Sequence, residues 1–159
     1  LGYNVNDMYF SEDKIYIANP RDNINSFEIY QKQGNLIDSY ETDSQVKSIF
    51  ALNNYIVAGT QNGCYITLLE ENGISDSDDS KLKIAENFTV YDIYFDSITN
   101  KLILSTGADG VLIYNWDGNS LNVNEEMRLY SSYAFTARII NDVYYVATKN
   151  GLEIYNIGD

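Results

Sequence analysis

The sequence contains no histidine and only one cysteine, Cys64, among its 159 residues. An internal disulfide, a Cys/His zinc site, a Ser-His-Asp triad and a Cys-His dyad are therefore excluded. Proline occurs once, and no apolar run reaches the roughly 18 residues that a membrane-spanning helix needs. We predict that the chain is not an enzyme, uses no cofactor and does not insert into a membrane.

Positive charge is also scarce, because 10 Lys plus Arg stand against 23 Asp plus Glu and give a formal net charge of −13. Such a chain repels phosphate backbones and anionic lipid surfaces, which excludes nucleic acid as a partner. Hydrophobic residues make up 45% of the sequence, enough for the core of one domain of this length. The acidity and the small number of basic residues favour an extracellular or cell-surface location.

A four-residue pattern recurs four times along the chain, and its third residue is always isoleucine. The copies are Phe27-Glu28-Ile29-Tyr30, Cys64-Tyr65-Ile66-Thr67, Val111-Leu112-Ile113-Tyr114 and Leu152-Glu153-Ile154-Tyr155. The four isoleucines are separated by 37, 47 and 41 residues. A period of about 40 to 50 residues is typical of one four-stranded propeller blade.

Two further columns of equivalent residues support the repeat. One pairs a large apolar residue with a small one that would let the next sheet approach, at Ile17-Ala18, Val57-Ala58, Leu104-Ser105 and Val146-Ala147. The other opens the units at Val5-Asn6-Asp7-Met8, Val46-Lys47-Ser48-Ile49 and Val90-Tyr91-Asp92-Ile93, with a degraded fourth copy near residues 135–140. Strand-forming residues fill these segments and Asn, Asp, Gly and Ser separate them.

The pattern predicts an all-β fold, a β-propeller of about four four-stranded antiparallel blades, with few helices or none. The units span about residues 5–45, 46–89, 90–133 and 134–159 of a single propeller domain or segment. In the second unit we expect strands at 46–52, 55–60, 63–69 and 81–88.

The strand count predicts that the ring is incomplete, because the fourth unit stops after its third strand while residues 1–4 resemble the end of a fourth strand. Three alternatives remain open: the first residues close a small ring, the chain is a segment of a larger propeller, or two chains join. Unpaired strand edges need some completion. We expect a portion of a larger or oligomer-completed propeller.

The fourth unit, residues 145–157, resembles the LVIVD-type propeller repeat, in which a Tyr-Val-Ala strand, a glycine turn and a Leu-x-Ile strand follow one another. The openings at Val5, Val46 and Val90 fit the same pattern, and residues 90–110 are also similar to the propeller repeats of two-component regulators. The resemblance implies a rigid disc whose loops bind other molecules without chemistry.

The best candidate binding face is formed by the turns between the second and third strands of each unit, which lie beside the propeller axis. The first of these connections, residues 19–25, is the longest and the least repeat-like, and loops of this kind often carry function. The predicted partner-binding residues are Arg21, Asp22, Gln61, Asp109 and Lys149. The expected partner is a protein or a glycan.

Other notable residues have structural interpretations. Tyr55, Tyr114, Tyr144 and Tyr155 fall in repeat columns and are expected to pack between sheets, and Cys64 is expected to be a buried apolar residue. The acidic run at residues 75–80 is expected to be a solvated hairpin tip, with calcium binding left open. A glycosylation acceptor sequence occurs at residues 87–89.

The sequence therefore leads to three functional hypotheses. The first is a non-catalytic interaction module that binds a protein or glycan outside the cytoplasm. The second is a structural subunit that assembles through open blade edges into rings or filaments, or pairs with the rest of a longer propeller. The third is a metal-assisted hydrolase.

Overall fold

A computed structural model describes residues 5–19, 21, 24–71 and 73–156. Sixteen β-strands account for most of these residues, and a single 3₁₀ turn at Asp78–Ser80 is the only helical segment among them. The strands are β1 (Asp7–Phe10), β2 (Lys14–Ala18), β3 (Ser26–Gln31), β4 (Leu36–Glu41), β5 (Val46–Leu52), β6 (Tyr55–Thr60), β7 (Gly63–Glu70), β8 (Gly73–Ile74), β9 (Lys81–Ile84), β10 (Asp92–Asp96), β11 (Lys101–Ser105), β12 (Val111–Asn115), β13 (Asn124–Leu129), β14 (Ala134–Ile140), β15 (Val143–Thr148) and β16 (Gly151–Asn156). No helix in these ranges could cross a bilayer.

The strands form four antiparallel sheets, each made of strands that follow one another in the chain. Blade 1 is β1-β2-β3-β4 and blade 3 is β10-β11-β12-β13. Blade 2 is β5-β6-β7, and its outer edge is shared by β8 and β9, which both pair with β7. Blade 4 contains three strands, β14-β15-β16, within the described part of the chain. The fold is the predicted all-β propeller.

A separate apolar core lies between each pair of consecutive blades. Because side chains alternate along a strand, each blade presents one apolar face to the blade before it and the other to the blade after it. Ile29 lies in the core between blades 1 and 2, Ile66 in the core between blades 2 and 3, and Ile113 in the core between blades 3 and 4. The repeated isoleucine therefore marks the face that points toward the next blade.

The small-residue column needs one correction in blade 2. The strand pairing places Gly59 opposite Cys64, at the position that Ala18, Ser105 and Ala147 occupy in the other blades, so the equivalent pair is Ala58-Gly59 rather than Val57-Ala58. A Cβ atom on Gly59 would lie 2.6 Å from Cγ1 of Val90. The small residue thus lets blade 3 approach blade 2, as the column predicts.

The last strand of blade 2 is shorter than predicted. Strand β9 ends at Ile84 rather than near residue 88, because Ala85 and Asn87 adopt positive φ angles of 53° and 71° that extended strands do not allow. The predicted strand at residues 1–4 lies outside the described residues.

Consecutive blades pack against one another through their inner strands, with β5 against β1, β10 against β5 and β14 against β10. Over the described ranges, no packed interface joins blade 1 to blade 4. Blades 1 and 4 therefore each have one face that is not covered by another blade of this chain.

Candidate interaction surfaces

The turn between the second and third strands is built around a buried threonine in blades 2, 3 and 4. The Thr60 hydroxyl donates to the carbonyl oxygen of Gly63 at 2.9 Å and accepts from the Asn62 N–H at 3.1 Å. Thr106 makes the equivalent bond to the carbonyl oxygen of Gly110, which precedes β12, and Thr148 to that of Gly151, which begins β16. Because each buried hydroxyl has its partner, these turns hold a fixed conformation on one side of the propeller.

The structure places four of the five predicted binding residues in the connections between the second and third strands of their blades. Gln61 and Lys149 are exposed at the tips of the blade 2 and blade 4 turns, and Asp109 and Arg21 lie in the corresponding connections of blades 3 and 1. No hydrogen bond or ion pair between described residues joins any two of them. Asp22, the fifth, lies outside the described residues.

Two of these residues are held by contacts within their own blades. Nε of Arg21 lies 2.6 Å from a carboxylate oxygen of Glu28, whose side chain is buried. Arg128 donates from Nε to the Asp109 carbonyl oxygen at 2.7 Å and from Nη2 to its carboxylate at 3.1 Å. Gln61 and Lys149 are thus the more accessible members of this turn surface.

A glutamate and a tyrosine two residues later occupy the same repeat positions in blades 1 and 4. The Tyr30 hydroxyl donates to Glu28, and this bond raises the pKa of the tyrosine. In blade 4, Glu153 accepts from the Ser132 hydroxyl at 2.6 Å and from the Tyr155 hydroxyl at 2.6 Å. These hydrogen bonds, led by that from Ser132, lower the pKa of Glu153 to about 2.

Glu28 and Glu153 each accept a hydrogen bond from the hydroxyl group of the tyrosine two residues later and so hold that side chain in place. Burial, followed by the bond to Glu153, raises the pKa of Tyr155 to about 12, so the phenol stays protonated near neutral pH. Because each carboxylate has hydrogen-bond donors beside it, the two Glu-x-Tyr pairs can lie in strands whose neighbouring positions are apolar.

The outer face of blade 4 is an exposed apolar surface, which the sequence analysis did not single out. Strand register places Ile140, Tyr145, Leu152 and Ile154 on this face. Ile154 is 57% exposed, whereas the equivalent Ile29, Ile66 and Ile113 are completely buried. Leu152 is 63% exposed, although Phe27, Cys64 and Val111 at its repeat position are also completely buried.

Blade 1 also has an exposed apolar face, on the side that points away from blade 2. Met8 is 51% exposed, whereas Ile49 and Ile93 at the same repeat position are 4% and 8% exposed. Phe10 and Leu36 lie on the same face and are also exposed. This face corresponds to the one that blades 2, 3 and 4 turn toward the preceding blade.

Carboxylates are few on these two faces. Strand pairing places nine residues on the outer face of blade 4, and none of them is acidic: Thr136, Arg138, Ile140, Val143, Tyr145, Ala147, Leu152, Ile154 and Asn156. On the blade 1 face, strand pairing places two carboxylates: the buried Glu28, which is paired with Arg21, and the exposed Glu41 at the end of β4. In a chain with a net charge of −13, both faces have the apolar character of protein interfaces.

The buried residues agree with the other structural expectations. Tyr114 and Tyr144 are buried in the inter-blade cores, and the rings of Tyr55 and Trp116 pack in a T-shaped arrangement. Cys64 is completely buried, which raises the pKa of its thiol.

Within the described ranges, no three Cys, Asp or Glu side chains are placed to hold a metal ion together. The acidic run at 75–80 contains the 3₁₀ turn and precedes β9. A cleft of about 1030 Å³ lies on the opposite side of the propeller from the turn surface, and Glu12, Asp13, Glu70 and Glu71 contribute to its lining.

No family model and no curated protein matches the chain. Solved structures do. The chain is similar to the computationally designed Ika4 protein, with a TM-score of 0.74 and 10% identity over 99% of this chain and 94% of that one. It is similar to the designed Ika8 protein with a TM-score of 0.69 and 11% identity, over 96% of this chain and 46% of Ika8.

A third similar structure is KlHsv2 with loop 6CD replaced by a Gly-Ser linker. The TM-score is 0.58 and the identity 16%, over 98% of this chain and 49% of KlHsv2. The chain thus spans nearly all of Ika4 and about half of the two longer proteins. At these identities the similarity shows the propeller fold alone.

Proposed function

We propose that the chain is a non-catalytic structural module that assembles, through the exposed faces of blades 1 and 4, into a larger ring or filament. The observation that carries this proposal is the exposure of one repeat position. Isoleucine is completely buried there in three blades and 57% exposed at Ile154 in the fourth. A repeated apolar residue that is buried wherever a neighbouring blade exists calls for a neighbour at the end as well.

The contact surface differs from the one in the original hypothesis. The sequence predicts assembly through open blade edges, where strands pair by backbone hydrogen bonds. The exposed surfaces are the faces of blades 1 and 4, which offer side-chain packing of the kind already present between consecutive blades. Burial of apolar area supplies most of the free energy in such contacts.

Sedimentation velocity over a wide concentration range tests this function. The wild-type chain is expected to associate, whereas the double variant Met8→Glu/Ile154→Glu, which places like charges against each other, should remain at the 18.1 kDa of one chain. Both substituted side chains are exposed, so the variant should fold normally, which circular dichroism and thermal unfolding check. A wild-type chain that stays monomeric at every concentration rules out assembly as the function.

A second candidate function is binding of a protein or glycan by the turn surface. The exposure of Gln61 and Lys149 on rigid turns at one side of the propeller favours it. Alanine substitution of both residues should weaken binding to an identified partner without changing stability. The LVIVD-type resemblance and an extracellular or cell-surface location fit both candidates and remain part of the proposal.

A further inference from the structure

We infer that the partner of both exposed faces is a second copy of this chain, so that two copies close head to tail into one ring of eight blades. This inference rests on the proposed function and adds the identity of the partner, the orientation of the contact and the number of copies. It depends on how each interface inside the chain is built.

Every internal interface pairs the same two repeat positions. Ile29 of blade 1 shares a core with Ile49 of blade 2, and Ile66 of blade 2 shares a core with Ile93 of blade 3. The third interface pairs Ile113 with Ala137. Ile154 of blade 4 occupies the same repeat position as Ile29, Ile66 and Ile113. Met8 of blade 1 occupies the same repeat position as Ile49, Ile93 and Ala137.

The two exposed faces are therefore the two halves of an interface that the chain already forms three times. Blade 4 of one copy would receive blade 1 of another copy in the same way that blades 1, 2 and 3 receive their successors. Ile154 would lie against Met8 of the second copy. Ile154 would thus meet a methionine rather than the isoleucine or alanine of the internal interfaces. The flexible methionine side chain can adapt its shape to the space that is available.

The charge distribution permits contact between two copies despite the net charge of −13 on each. The blade 4 face carries one charged residue, Arg138, and its guanidinium is bonded to Asp92 at 2.8 Å. The central carboxylate of the blade 1 face, Glu28, already has Arg21 as its partner, and the second carboxylate that strand pairing places on this face, Glu41, lies exposed at the end of β4. Association would thus bury few uncompensated charges, which is the condition for a stable apolar interface.

A contact between blade 4 of one copy and blade 1 of the next is heterologous. Such contacts form a closed ring if the rotation returns to the start, and an open filament if it does not. The chain aligns over 96% of its length with 46% of the Ika8 chain. An arc that occupies about half of a longer propeller leaves space for one further arc of the same size.

The inference is tested with two single variants, Met8→Lys and Ile154→Glu, and their mixture. Each alone places a charge in both interfaces of a two-copy ring, and should weaken association at least about 30-fold. When the two variants are mixed, one interface is wild type and the other pairs the new lysine with the new glutamate. The mixture should therefore recover a complex of twice the chain mass, measured by light scattering.

Gln33→Lys and Ile98→Glu are the matched controls, since Gln33 is exposed in the β3–β4 turn and Ile98 is 89% exposed in the β10–β11 turn of blade 3. They should associate like the wild type. Circular dichroism and the unfolding midpoint establish that all four variants are folded.

Each alternative gives a different result. A contact between two identical faces would respond to one substitution only, and the mixture would recover nothing, which overturns the head-to-tail arrangement. A mass that grows continuously with concentration shows an open filament and overturns ring closure, while the proposed assembly function stands. A monomeric wild-type chain overturns both.

Discussion

Replacing one repeated isoleucine by alanine in two blades measures directly whether the terminal face is free. Ile113 and Ile154 have the same residue type, the same repeat position and the same place in the third strand of their blades. They differ in that Ile113 is completely buried between blades 3 and 4, while Ile154 is 57% exposed. The difference between the two substitutions therefore reports the presence or absence of a neighbouring blade.

The expected magnitudes follow from burial. Truncating a fully buried isoleucine to alanine costs about 2–5 kcal/mol, because a cavity is left in addition to the lost transfer free energy. Ile154 buries less than half of its surface, and its removal leaves no enclosed cavity, so about 1 kcal/mol is expected for the isolated chain. The two free energies of unfolding should differ by at least about 1 kcal/mol.

Equilibrium urea unfolding at low chain concentration is the assay. The same measurement at high concentration should leave the cost of Ile113→Ala unchanged and raise that of Ile154→Ala, because association stabilises the folded chain by mass action. Ile66→Ala is the control for position, since Ile66 is buried to the same extent as Ile113. Equal costs at Ile113 and Ile154 in dilute solution would refute the reasoning, because they would mean that the blade 4 face is covered within the chain.

Three further substitutions test individual features of the fold. Thr60→Val should lower the free energy of unfolding by about 1–3 kcal/mol, because it removes a buried hydroxyl that bonds Gly63 and Asn62; urea unfolding measures this. Gly59→Ala should cost a similar amount, about 1–3 kcal/mol, because the new methyl group meets both Ser48 of its own blade and Val90 of the next blade, and thermal unfolding measures it. Glu153→Gln should reduce the loss of stability between about pH 4.5 and 2, because the wild-type carboxylate has a lowered pKa in the folded state; unfolding as a function of pH measures this.

Each of these predictions has its own control and contradicting result. Thr89→Val removes a single bond from a less buried hydroxyl and should cost less than Thr60→Val; the reverse order would contradict the role of the turn threonine. Gly34→Ala tests backbone strain alone, since no atom lies within 4 Å of its added Cβ, and a larger cost there would show that inter-blade contact is not decisive.

The sign of the pH effect follows from the direction of the Glu153 pKa. A carboxyl group with a lowered pKa in the folded state stabilises the protein above its ordinary pKa of 4.5, and this contribution is lost as the pH falls toward about 2. The wild type should therefore lose more stability than the glutamine variant across this interval. Parallel pH profiles for the two proteins would show that the Ser132 and Tyr155 bonds do not favour the ionised form.

The fold could be predicted from the sequence because its signal is repeated. A single Leu-x-Ile segment fits many β-proteins, but four isoleucines at intervals close to one blade determine the architecture. The error in blade 2 arose because Val57-Ala58 is also a pair of a large and a small residue, one residue before the true column at Ala58-Gly59. A displacement of one residue assigns every side chain to the wrong face of the sheet. Strand pairing is needed to decide between the two alignments.

The exposed faces could not be found by motif alone, because Ile154 looks the same in sequence as the three buried isoleucines. What distinguishes it is the absence of a blade beside it among the described residues, which depends on the arrangement of all four sheets. The turn residues illustrate the converse problem. Arg21 and Asp109 are charged loop residues of the type used in binding, yet their charges are engaged by Glu28 and Arg128 within the same blade.

The contrast between inner and terminal blades connects the repeat to the proposed assembly. In a closed structure every blade has two neighbours, so each copy of a repeated core residue can be buried equally. This chain keeps large apolar residues at its two ends, with Met8 and Phe10 on one face and Leu152 and Ile154 on the other, where a chain that functions as an isolated arc would gain from polar replacements. A terminal repeat of an isolated array is normally capped by a polar outer face, whereas the described residues of blades 1 and 4 form apolar outer faces. The apolar ends are explained if each is the matching half of an interface completed by the other copy.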